Sequence, residues 1–351
     1  MTANLATLRS APTADAAEEA LAALFAGRSL DQFEAESLFT ELVEGRLAEP
    51  SIAALLIALK IKGETADELI GAARALRAAD LDFDRPDYLF ADSCGTGGDG
   101  SGTINVSTAA AFVAAAAGLP VAKHGNRSIT SRCGSADVLE QLGIRLDVPP
   151  AVSRRALDEA GICFLFAPAY HPGLRHAGPV RRALKVRTVM NVLGPCLNPA
   201  EPDVQLLGVA EARLLEPVAL TLVALGVERA LVVHGGGLDE VALHADTQAV
   251  RLGGGRIERL RLSPQLAGLE PAPLAAIRGG GPEENADRLK ALLGGRSALS
   301  DRRAAAINAG ALLLTAGLAG SLAEGTDVAL QSLASGAPLR VLQALAEITN
   351  A

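Results

Sequence analysis

The chain has 351 residues, enough for one large domain or for a large and a small domain with an extensive core. Its formal net charge of −8 argues against a groove for nucleic acid, so basic residues at a binding site must be local. The first residues lack the pattern of a signal peptide and the apolar runs are too short to span a bilayer, so we expect a cytoplasmic protein without a membrane partner. Four scattered cysteines without metal-type spacing agree with a reducing compartment.

The N-terminal part of the chain predicts a small all-helical domain. Residues 1–14 are rich in Ala, Ser and Thr, and we expect them to be frayed. Leucines at helical spacing then predict helices over residues 16–26, 31–44, 51–61 and 65–79. Thr65 and Glu68 have the spacing of a capping box at the fourth of these helices. We place this domain at residues 1–81; its apolar faces fit a dimer interface or a core within one subunit.

A strand, a glycine-rich loop and a helix are predicted next, over residues 88–117. The apolar residues 88–91 indicate a short buried strand, and five glycines follow between Gly95 and Gly102. Glycines let backbone amides approach a ligand closely, and such a nest of amides suits phosphate oxygens. Ser107 or Thr108 is the predicted N-cap of a helix over residues 109–117, whose N-terminus adds partial positive charge at the same place.

A second short strand at residues 121–122 is expected to deliver Lys123, His124, Asn126 and Arg127 into the next loop. Strand, loop, helix, strand and loop make a βαβ unit, in which both loops lie at the carboxyl edge of a parallel sheet. Open α/β sheets bind ligands at that edge.

Gly95, Gly97 and Gly100 also match the dinucleotide fingerprint G-x-G-x-x-G. Against that interpretation, the predicted helix begins about seven residues after Gly100, and Lys123 stands where an acidic residue would hold a ribose. Asp99 inside the loop would repel a pyrophosphate unless a metal ion intervened. We therefore favour a loop that holds pyrophosphate with Mg²⁺ nearby, since Mg²⁺ is usually bound by one or two carboxylates and phosphate oxygens.

The middle of the chain predicts a helix over 135–142, a strand over 144–146, a helix over 151–160 and a strand over 162–166. Residues 168–199 then break this alternation with several prolines and glycines, apart from a short helix over 180–186. We expect this segment to be a hinge that crosses back to the helical domain. A cleft between the two domains follows from that topology, and such clefts commonly bind ligands.

The alternation then resumes and predicts an α/β fold: a large α/β domain over 82–351, with a mostly parallel central sheet, beside the small helical domain. Three glycines after a predicted strand at 230–234 lead to Asp239 and Glu240, which places adjacent carboxylates at the ligand edge of the sheet. As a bare pair they would be an ordinary solvated turn. The remaining predictions are strands over 205–209, 248–252 and 257–262, and helices over 214–225, 283–293, 301–316, 326–335 and 339–348.

Four motifs occur in order between residues 95 and 137: G-T-G-G-D-G, N-V-S-T, K-H-G-N-R-S and G-S-A-D. Together they closely resemble the anthranilate phosphoribosyltransferase family, and the similarity runs from about residue 15 to the C-terminus. The resemblance implies attack of the anthranilate amine on C1′ of 5-phosphoribosyl 1-pyrophosphate. The products would be N-(5-phosphoribosyl)anthranilate and pyrophosphate, in the second step of tryptophan biosynthesis from chorismate. It also implies Mg²⁺ as cofactor and a homodimer formed through the helical domain.

Carried over position by position, the resemblance implies three groups of site residues and no certain catalytic group. The residues implied to bind the phosphoribosyl pyrophosphate are Gly95, Thr96, Gly97, Gly98, Asp99, Thr103, Asn105, Ser107, Thr108, Lys123 and Ser135. Of these, Lys123 and Asp99 are implied to act electrostatically. Those for Mg²⁺ are Ser107, Asp239 and Glu240. Those for anthranilate are Gly95, His124, Asn126, His171, Arg181, Gly194 and Pro195. Arginine suits the substrate's carboxylate because its planar fork binds it bidentately.

Two alternatives remain open at this point. Pyrimidine nucleoside phosphorylases resemble this architecture, but they would not need the Asp239 and Glu240 pair. A non-catalytic relative that binds phosphoribosyl pyrophosphate would not need Arg181. The sequence offers no compelling general base for the amine, and Leu174 stands where some relatives have an aromatic residue, which leaves the shape of the anthranilate channel open.

Overall fold

The computed structural model describes residues 14–128 and 132–351. The predicted fraying concerns residues 1–14, and of these residues 1–13 lie outside the described part. In the described part, the N-terminal segment is formed by helices α1 Ala14–Phe25, α2 Gln32–Val43, α3 Glu49–Lys62 and α4 Ala66–Ala78. The Thr65 side chain accepts a hydrogen bond from the Glu68 N–H, and the Glu68 carboxylate accepts from the Thr65 N–H, so the predicted capping box is confirmed.

Among the described residues, a seven-stranded sheet forms the centre of the part of the chain that follows the four N-terminal helices. Its order is β3-β2-β1-β4-β5-β6-β7. The first five strands in this order are parallel to one another, whereas β6 is antiparallel to β5 and β7 is antiparallel to β6. The strands are β1 Ala91–Gly95, β2 Val121–Gly125, β3 Ile162–Phe166, β4 Val204–Gly208, β5 Arg229–Gly235, β6 Thr247–Gly253 and β7 Arg256–Leu262. The predicted α/β fold with a mostly parallel sheet is confirmed. The strand order reverses at β1, which lies between β2 and β4, and a ligand crevice opens at such a point.

Eleven further α-helices follow in the described part, mostly where the sequence predicts them. They are α5 Val106–Ala116, α6 Ser135–Gln141, α7 Pro150–Ala160, α8 Ala167–Tyr170, α9 Gly178–Leu184, α10 Val189–Leu193, α11 Leu215–Ala224, α12 Pro282–Leu293, α13 Leu299–Ala316, α14 Leu322–Ala334 and α15 Ala337–Asn350. In the described ranges, no helix combines the length and the apolar character that crossing a bilayer requires.

Three local predictions about β1, β2 and residues 144–146 are wrong. β1 begins at Ala91, so residues 88–90 precede it; its polar centre is tolerated because the buried Asp92 carboxylate accepts the His124 N–H. β2 continues to Gly125 because it pairs with β3 over its full length, which makes Lys123 and His124 strand residues rather than loop residues. Residues 144–146 form no strand, since the Arg145 N–H donates to the Thr349 hydroxyl of α15 instead of to a neighbouring strand.

The predicted N-cap of α5 is also wrong. The helix begins at Val106, so Asn105 occupies the cap position, but its side chain makes no capping bond and contacts Cys133 and Asn285 instead. The Ser107 N–H is satisfied from another part of the chain, by the Glu240 carboxylate at 3.0 Å. A distant carboxylate therefore replaces the expected local hydroxyl at this helix start.

The turn-rich segment after β3 packs against the helical bundle. Ala177, Val180 and Val189 are buried in the same core as residues of α1 to α4, and this core continues onto one face of β4 and β5. The predicted helix over 180–186 lies slightly earlier, because Lys185 adopts a left-handed conformation (φ 51°) that ends α9. The division of the chain into domains at residues 81 and 82 stays a prediction.

Candidate active site

A cavity of about 290 Å³ lies at the carboxyl ends of the parallel strands. All of the residues predicted to contact the phosphoribosyl pyrophosphate, the metal or the anthranilate line this cavity. The glycine-rich loop after β1, the loop after β2, the turn after β5 and the segment between α8 and α10 each contribute to its wall. The tertiary structure thus brings together side chains that lie up to 145 residues apart in the chain.

Glycines at two strand ends make room for Asp239. Gly95 ends β1 and Gly208 ends β4, and these two residues are paired in the sheet. A Cβ atom on Gly95 would clash with the Asp239 carboxylate, and one on Gly208 would clash with the Asp239 backbone. The turn after β5 can therefore lie directly over β1 and β4 at the point where the strand order reverses.

The glycine-rich loop brings backbone N–H groups next to carboxylates. Gly97 and Gly98 have φ values of 64° and 68°, which L side chains rarely adopt. The Gly97 N–H donates to Asp239 Oδ2 at 2.6 Å. Asp99 folds back onto its own loop, where its carboxylate accepts from the Ser101 N–H and hydroxyl. The loop therefore holds backbone donors and carboxylates side by side, an arrangement that suits a phosphate–metal complex better than either ion alone.

Asp239 and Glu240 are crowded carboxylates at the base of the cavity. Burial, followed by repulsion from Asp99, raises the pKa of Asp239. Burial, followed by repulsion from Asp239, raises the pKa of Glu240 well above its usual range. Such a donor set fits a divalent cation, which would relieve both effects. Among the described residues, no three His, Cys, Asp or Glu side chains already form a metal-binding group, so phosphate or water oxygens would have to complete the coordination.

Lys123 points at the start of α5 from the neighbouring strand. It is only 3% exposed, its Nζ donates to the Ser93 carbonyl, and the Ser107 Oγ lies 3.4 Å from it. A buried ammonium beside a helix N-terminus strengthens the positive potential there. An anionic ligand at this end of the cavity would meet both.

Arg181 also lines the cavity. Burial lowers the pKa of its guanidinium, and within residues 14–128 and 132–351 no hydrogen bond or ion pair reaches that group. The adjacent Arg182 is exposed, as expected for a surface charge. A half-buried guanidinium that faces a cavity without a protein partner favours a bound anion, so Arg181 suits a carboxylate ligand.

His124 and His171 form part of the same wall as Arg181. Their Nε2 atoms lie 2.9 Å apart and the two rings meet edge to face. Burial, followed by the neighbouring His171, lowers the pKa of His124 well below its usual range. Leu174, the residue that left the channel shape open, also lines the cavity.

Sequence reasoning missed two residues that hold the loops of the cavity. Arg187, between α9 and α10, donates to the Gly98 carbonyl at 2.9 Å and to the Thr96 hydroxyl at 3.2 Å. Asn285 of α12 donates to the Asn105 side chain and accepts from the Gly280 N–H. No local pattern marks either residue, because each acts on a loop more than 80 residues away.

Two family models match this chain. The one described as "Glycosyl transferase family, helical bundle domain" covers residues 18–79. The one described as "Glycosyl transferase family, a/b domain" covers residues 87–339. The two matches follow the helical bundle and the sheet-containing part of the structure.

Known proteins similar over nearly the whole length are anthranilate phosphoribosyltransferases. The one from Sorangium cellulosum is 61% identical over 314 residues, which cover 90% of each chain. The crystal structure of the one from Thermus thermophilus is 44% identical, with a TM-score of 0.88, and covers 95% of this chain and 99% of that chain. The one from Saccharomyces cerevisiae, in complex with PRPP and Mg, is 27% identical, with a TM-score of 0.87 and coverage of 96% and 99%. The yeast protein has also been solved in complex with 4-fluoroanthranilate.

Proposed function

The chain belongs to the anthranilate phosphoribosyltransferase family, whose members act in tryptophan biosynthesis, and we propose that the cavity described above is where it transfers the phosphoribosyl group. The observation that supports this proposal best is that two groups suited to anions line the same cavity. One is the glycine-rich loop beside Lys123, and the other is the guanidinium of Arg181, which has no partner among the described residues. The first suits a sugar pyrophosphate and the second an aromatic acid.

On the donor side, the glycine-rich loop, the N-terminus of α5 and Lys123 bind the pyrophosphate. The Thr96 and Gly97 N–H groups are already bonded to Gly208 and Asp239, so the loop contributes the amides of Gly98 and Asp99. The side chains of Thr96, Thr103, Asn105, Thr108 and Ser135 line the same side and supply hydrogen bonds to the phosphoribosyl group. Asp239, Glu240 and Ser107 are the residues that would hold Mg²⁺, because the two crowded carboxylates need a cation and the Ser107 N–H bonds to Glu240, which places Ser107 beside them. When bound, Mg²⁺ stabilises the negative charge of the leaving pyrophosphate as a Lewis acid.

On the acceptor side, Arg181 binds the carboxylate of anthranilate. His124, Asn126, His171, Gly194 and Pro195 surround the ring, and Gly95 lies between the two substrates. The amine nitrogen uses its lone pair to attack C1′, and the electron pair of the breaking C1′–O bond goes to the pyrophosphate oxygen. The nitrogen, positively charged after the attack, then releases one proton to the departing pyrophosphate or to water. The protein's contribution is to hold both substrates in line and to stabilise the charge that develops on the leaving group.

The experiment that tests this proposal follows the fluorescence of anthranilate in the presence of phosphoribosyl pyrophosphate and Mg²⁺. We expect the signal to disappear with formation of phosphoribosyl anthranilate and pyrophosphate, and to persist when either the donor or Mg²⁺ is omitted. Phosphorolysis of uridine or thymidine by the same sample would overturn the proposal in favour of a nucleoside phosphorylase. Binding of both substrates without turnover would overturn it in favour of a non-catalytic relative.

We also propose that the protein is a cytoplasmic homodimer assembled through the helical domain. The side chains of Phe25 on α1 and Ile61 on α3 are 60% and 81% exposed, which is costly for a monomer in water. Light scattering of the intact chain is expected to give twice the monomer mass, and a monomer would contradict the proposal. All four cysteines are free thiols, which supports a reducing compartment.

A further inference from the structure

A guanidinium outside the cavity holds two groups of the glycine-rich loop. Arg187 is half-buried between α9 and α10 and is not among the described residues that line the cavity. Its Nη1 donates to the Gly98 carbonyl at 2.9 Å, and its Nη2 donates to the Thr96 hydroxyl at 3.2 Å. Gly98 and Thr96 do line the cavity, so Arg187 acts on it through them.

The backbone beside Arg187 is anchored in the core of the helical part. The next residue, Thr188, precedes α10, and its N–H donates to the Asn191 side chain at 3.1 Å. Val189 and Leu193 of α10 are fully buried and belong to the same core as residues of α1 to α4. The Arg187 side chain therefore extends from a fixed element to a loop that is rich in glycine.

The contact with Arg187 leaves the Thr96 hydroxyl with one function. A hydroxyl has two lone pairs that accept and one proton that it donates. The Thr96 oxygen accepts from Arg187 and also from the Ala210 N–H at 3.0 Å, which uses both lone pairs. Within the described ranges, no acceptor takes the Thr96 proton. Since Thr96 lines the cavity, its O–H is a donor for a ligand there.

The contact with Gly98 orients a backbone donor in a similar way. The Gly98 carbonyl and the Asp99 N–H belong to one planar trans peptide, so they point in opposite directions. Because Arg187 holds the carbonyl on its own side, the Asp99 N–H points away from Arg187, and Asp99 lines the cavity. Glycine allows many backbone orientations, so a bond from outside the loop is needed to select this one.

We propose that Arg187 is a positioning residue of the donor subsite, which orients the Thr96 O–H and the Asp99 N–H for the pyrophosphate of phosphoribosyl pyrophosphate. The proposal rests on the proposed function, which assigns the pyrophosphate to this loop. Donors that are oriented before the ligand arrives need no ordering when it binds, which favours binding. Without Arg187 the same donors remain, but the loop no longer holds them in one orientation.

Calorimetric titration with pyrophosphate and Mg²⁺ tests this proposal without turnover. Arg187→Ala is expected to raise the Kd about tenfold, the effect of one lost hydrogen bond to a charged group. Arg182→Ala removes an exposed charge from the same segment and is expected to bind like the wild type. Arg187→Lys keeps the charge without the planar fork, and its binding is expected to stay weaker than that of the wild type. Wild-type affinity in Arg187→Ala or in Arg187→Lys would overturn the proposal.

Steady-state kinetics separate positioning from a general loss of structure. In Arg187→Ala the KM for phosphoribosyl pyrophosphate is expected to rise about tenfold, while the KM for anthranilate and the melting temperature stay near the wild-type values. An equal rise of both KM values would show that the whole segment carrying Arg181 has moved, and would overturn the proposal. Weaker pyrophosphate binding by Arg187→Ala in a protein that does not consume anthranilate would contradict the proposed function and leave the role of Arg187 standing.

Variants of Thr96 test the role of Arg187 even if Arg187→Ala fails to fold. Thr96→Val is expected to bind pyrophosphate and Mg²⁺ about tenfold more weakly than Thr96→Ser, which keeps the hydroxyl. Equal binding by these two variants would overturn the proposal. Where Arg187→Ala folds, combining it with Thr96→Val is expected to give less than the product of the two single effects, because both changes disturb the same donor. The full product would show that the two residues act independently, and would also overturn it.

Discussion

Lys123, which is buried, and Arg181, which is half-buried, are both cations that line the cavity, and their surroundings separate their roles. Lys123 has two oxygen neighbours, the Ser93 carbonyl and the Ser107 hydroxyl, which fix its ammonium beside the start of α5. The described residues offer Arg181 no such neighbour. A cation that the protein leaves unsatisfied is poised for a ligand, whereas one that is already held shapes the potential around a ligand.

Replacing Arg181 by Ala is therefore expected to impair the use of anthranilate. Loss of a charged hydrogen-bond partner costs about 1.5–3 kcal/mol, which corresponds to a decrease of about 10- to 150-fold in kcat/KM for anthranilate. The KM for phosphoribosyl pyrophosphate is expected to stay near the wild-type value. Arg182→Ala is the matched control, because Arg182 is exposed and should be replaceable without effect. An unchanged KM for anthranilate in Arg181→Ala would refute the assignment.

The cysteines are distinguished by burial. Cys94, Cys163 and Cys196 are buried, and burial raises the pKa of all three thiols, that of Cys196 to about 12. Cys133 is half-buried and lines the cavity, and burial raises the pKa of its thiol as well. Since the thiolate is the reactive form, raised pKa values predict slow alkylation that accelerates with increasing pH.

We expect a thiol reagent at mildly alkaline pH to modify Cys133 first, since the thiols of the other three cysteines are buried and stay protonated. Phosphoribosyl pyrophosphate with Mg²⁺ should slow this reaction by covering the cavity. Mass spectrometry of the alkylated protein identifies the modified residue, and Cys133→Ser is expected to remove the early phase. An early phase that survives in Cys133→Ser would show that one of the buried thiols becomes exposed.

At the scale of elements, the ends of β1 and β4 decide where the carboxylates of the site can lie. Gly95 and Gly208 face the turn after β5 so closely that neither tolerates a Cβ without a shift of Asp239. The same turn then reaches α5, whose Ser107 N–H bonds to Glu240. Four elements that are distant in sequence, β1, β4, the turn after β5 and α5, are thus fixed to one another at the crevice of the sheet.

Gly208→Ala is expected to destabilise the protein by about 1–3 kcal/mol, because the added methyl group forces the backbone of Asp239 to move. Urea denaturation measures the effect, and activity should fall with it as Asp239 is displaced. Gly253→Ala, at the end of β6, is the control, since a Cβ there meets no atom within 4 Å. Equal stabilities of the two variants would show that the turn after β5 adjusts freely.

At the scale of the whole molecule, the net charge of −8 includes carboxylates concentrated where an anionic substrate must bind. Asp99, Asp239 and Glu240 repel one another, so the ligand-free protein carries a stability cost at its own site. A bound cation together with the substrate would remove that cost. Stability and ligand binding are therefore expected to be coupled in this protein.

The double variant Asp239→Asn with Glu240→Gln should reveal this coupling. Without ligands its melting temperature is expected to exceed that of the wild type, because two half-buried carboxylates that repel each other have been removed. Saturating phosphoribosyl pyrophosphate and Mg²⁺ should stabilise the wild type by about 3 kcal/mol at a hundredfold excess over Kd, and the variant much less. The double variant Asp246→Asn with Glu270→Gln, at two exposed positions, controls for the same change of two units in net charge. An identical magnesium titration in variant and wild type would count against the carboxylate pair.

The sequence by itself determined the order of the elements, the mostly parallel sheet, the capping box at Thr65 and the glycine-rich loop, because each depends on residues a few positions apart. Residue types in the four motifs were also enough to indicate the family. Where the prediction failed, as at residues 144–146 or at the cap of α5, a partner from elsewhere in the chain overrode the local preference.

Only the tertiary structure decided which charges are paired. The Gly97 N–H donates to Asp239, which lies 142 residues away, and the Ser107 N–H donates to Glu240, which lies 133 residues away. The His171 ring contacts the Asp80 carboxylate, 91 residues away. That the Arg181 guanidinium has no hydrogen-bond partner among the described residues likewise depends on how the neighbouring elements pack. Distances between such groups follow from how the sheet, the helices and the segment between α8 and α10 pack. Electrostatic energies depend on those distances and on burial, and neither is encoded in local sequence.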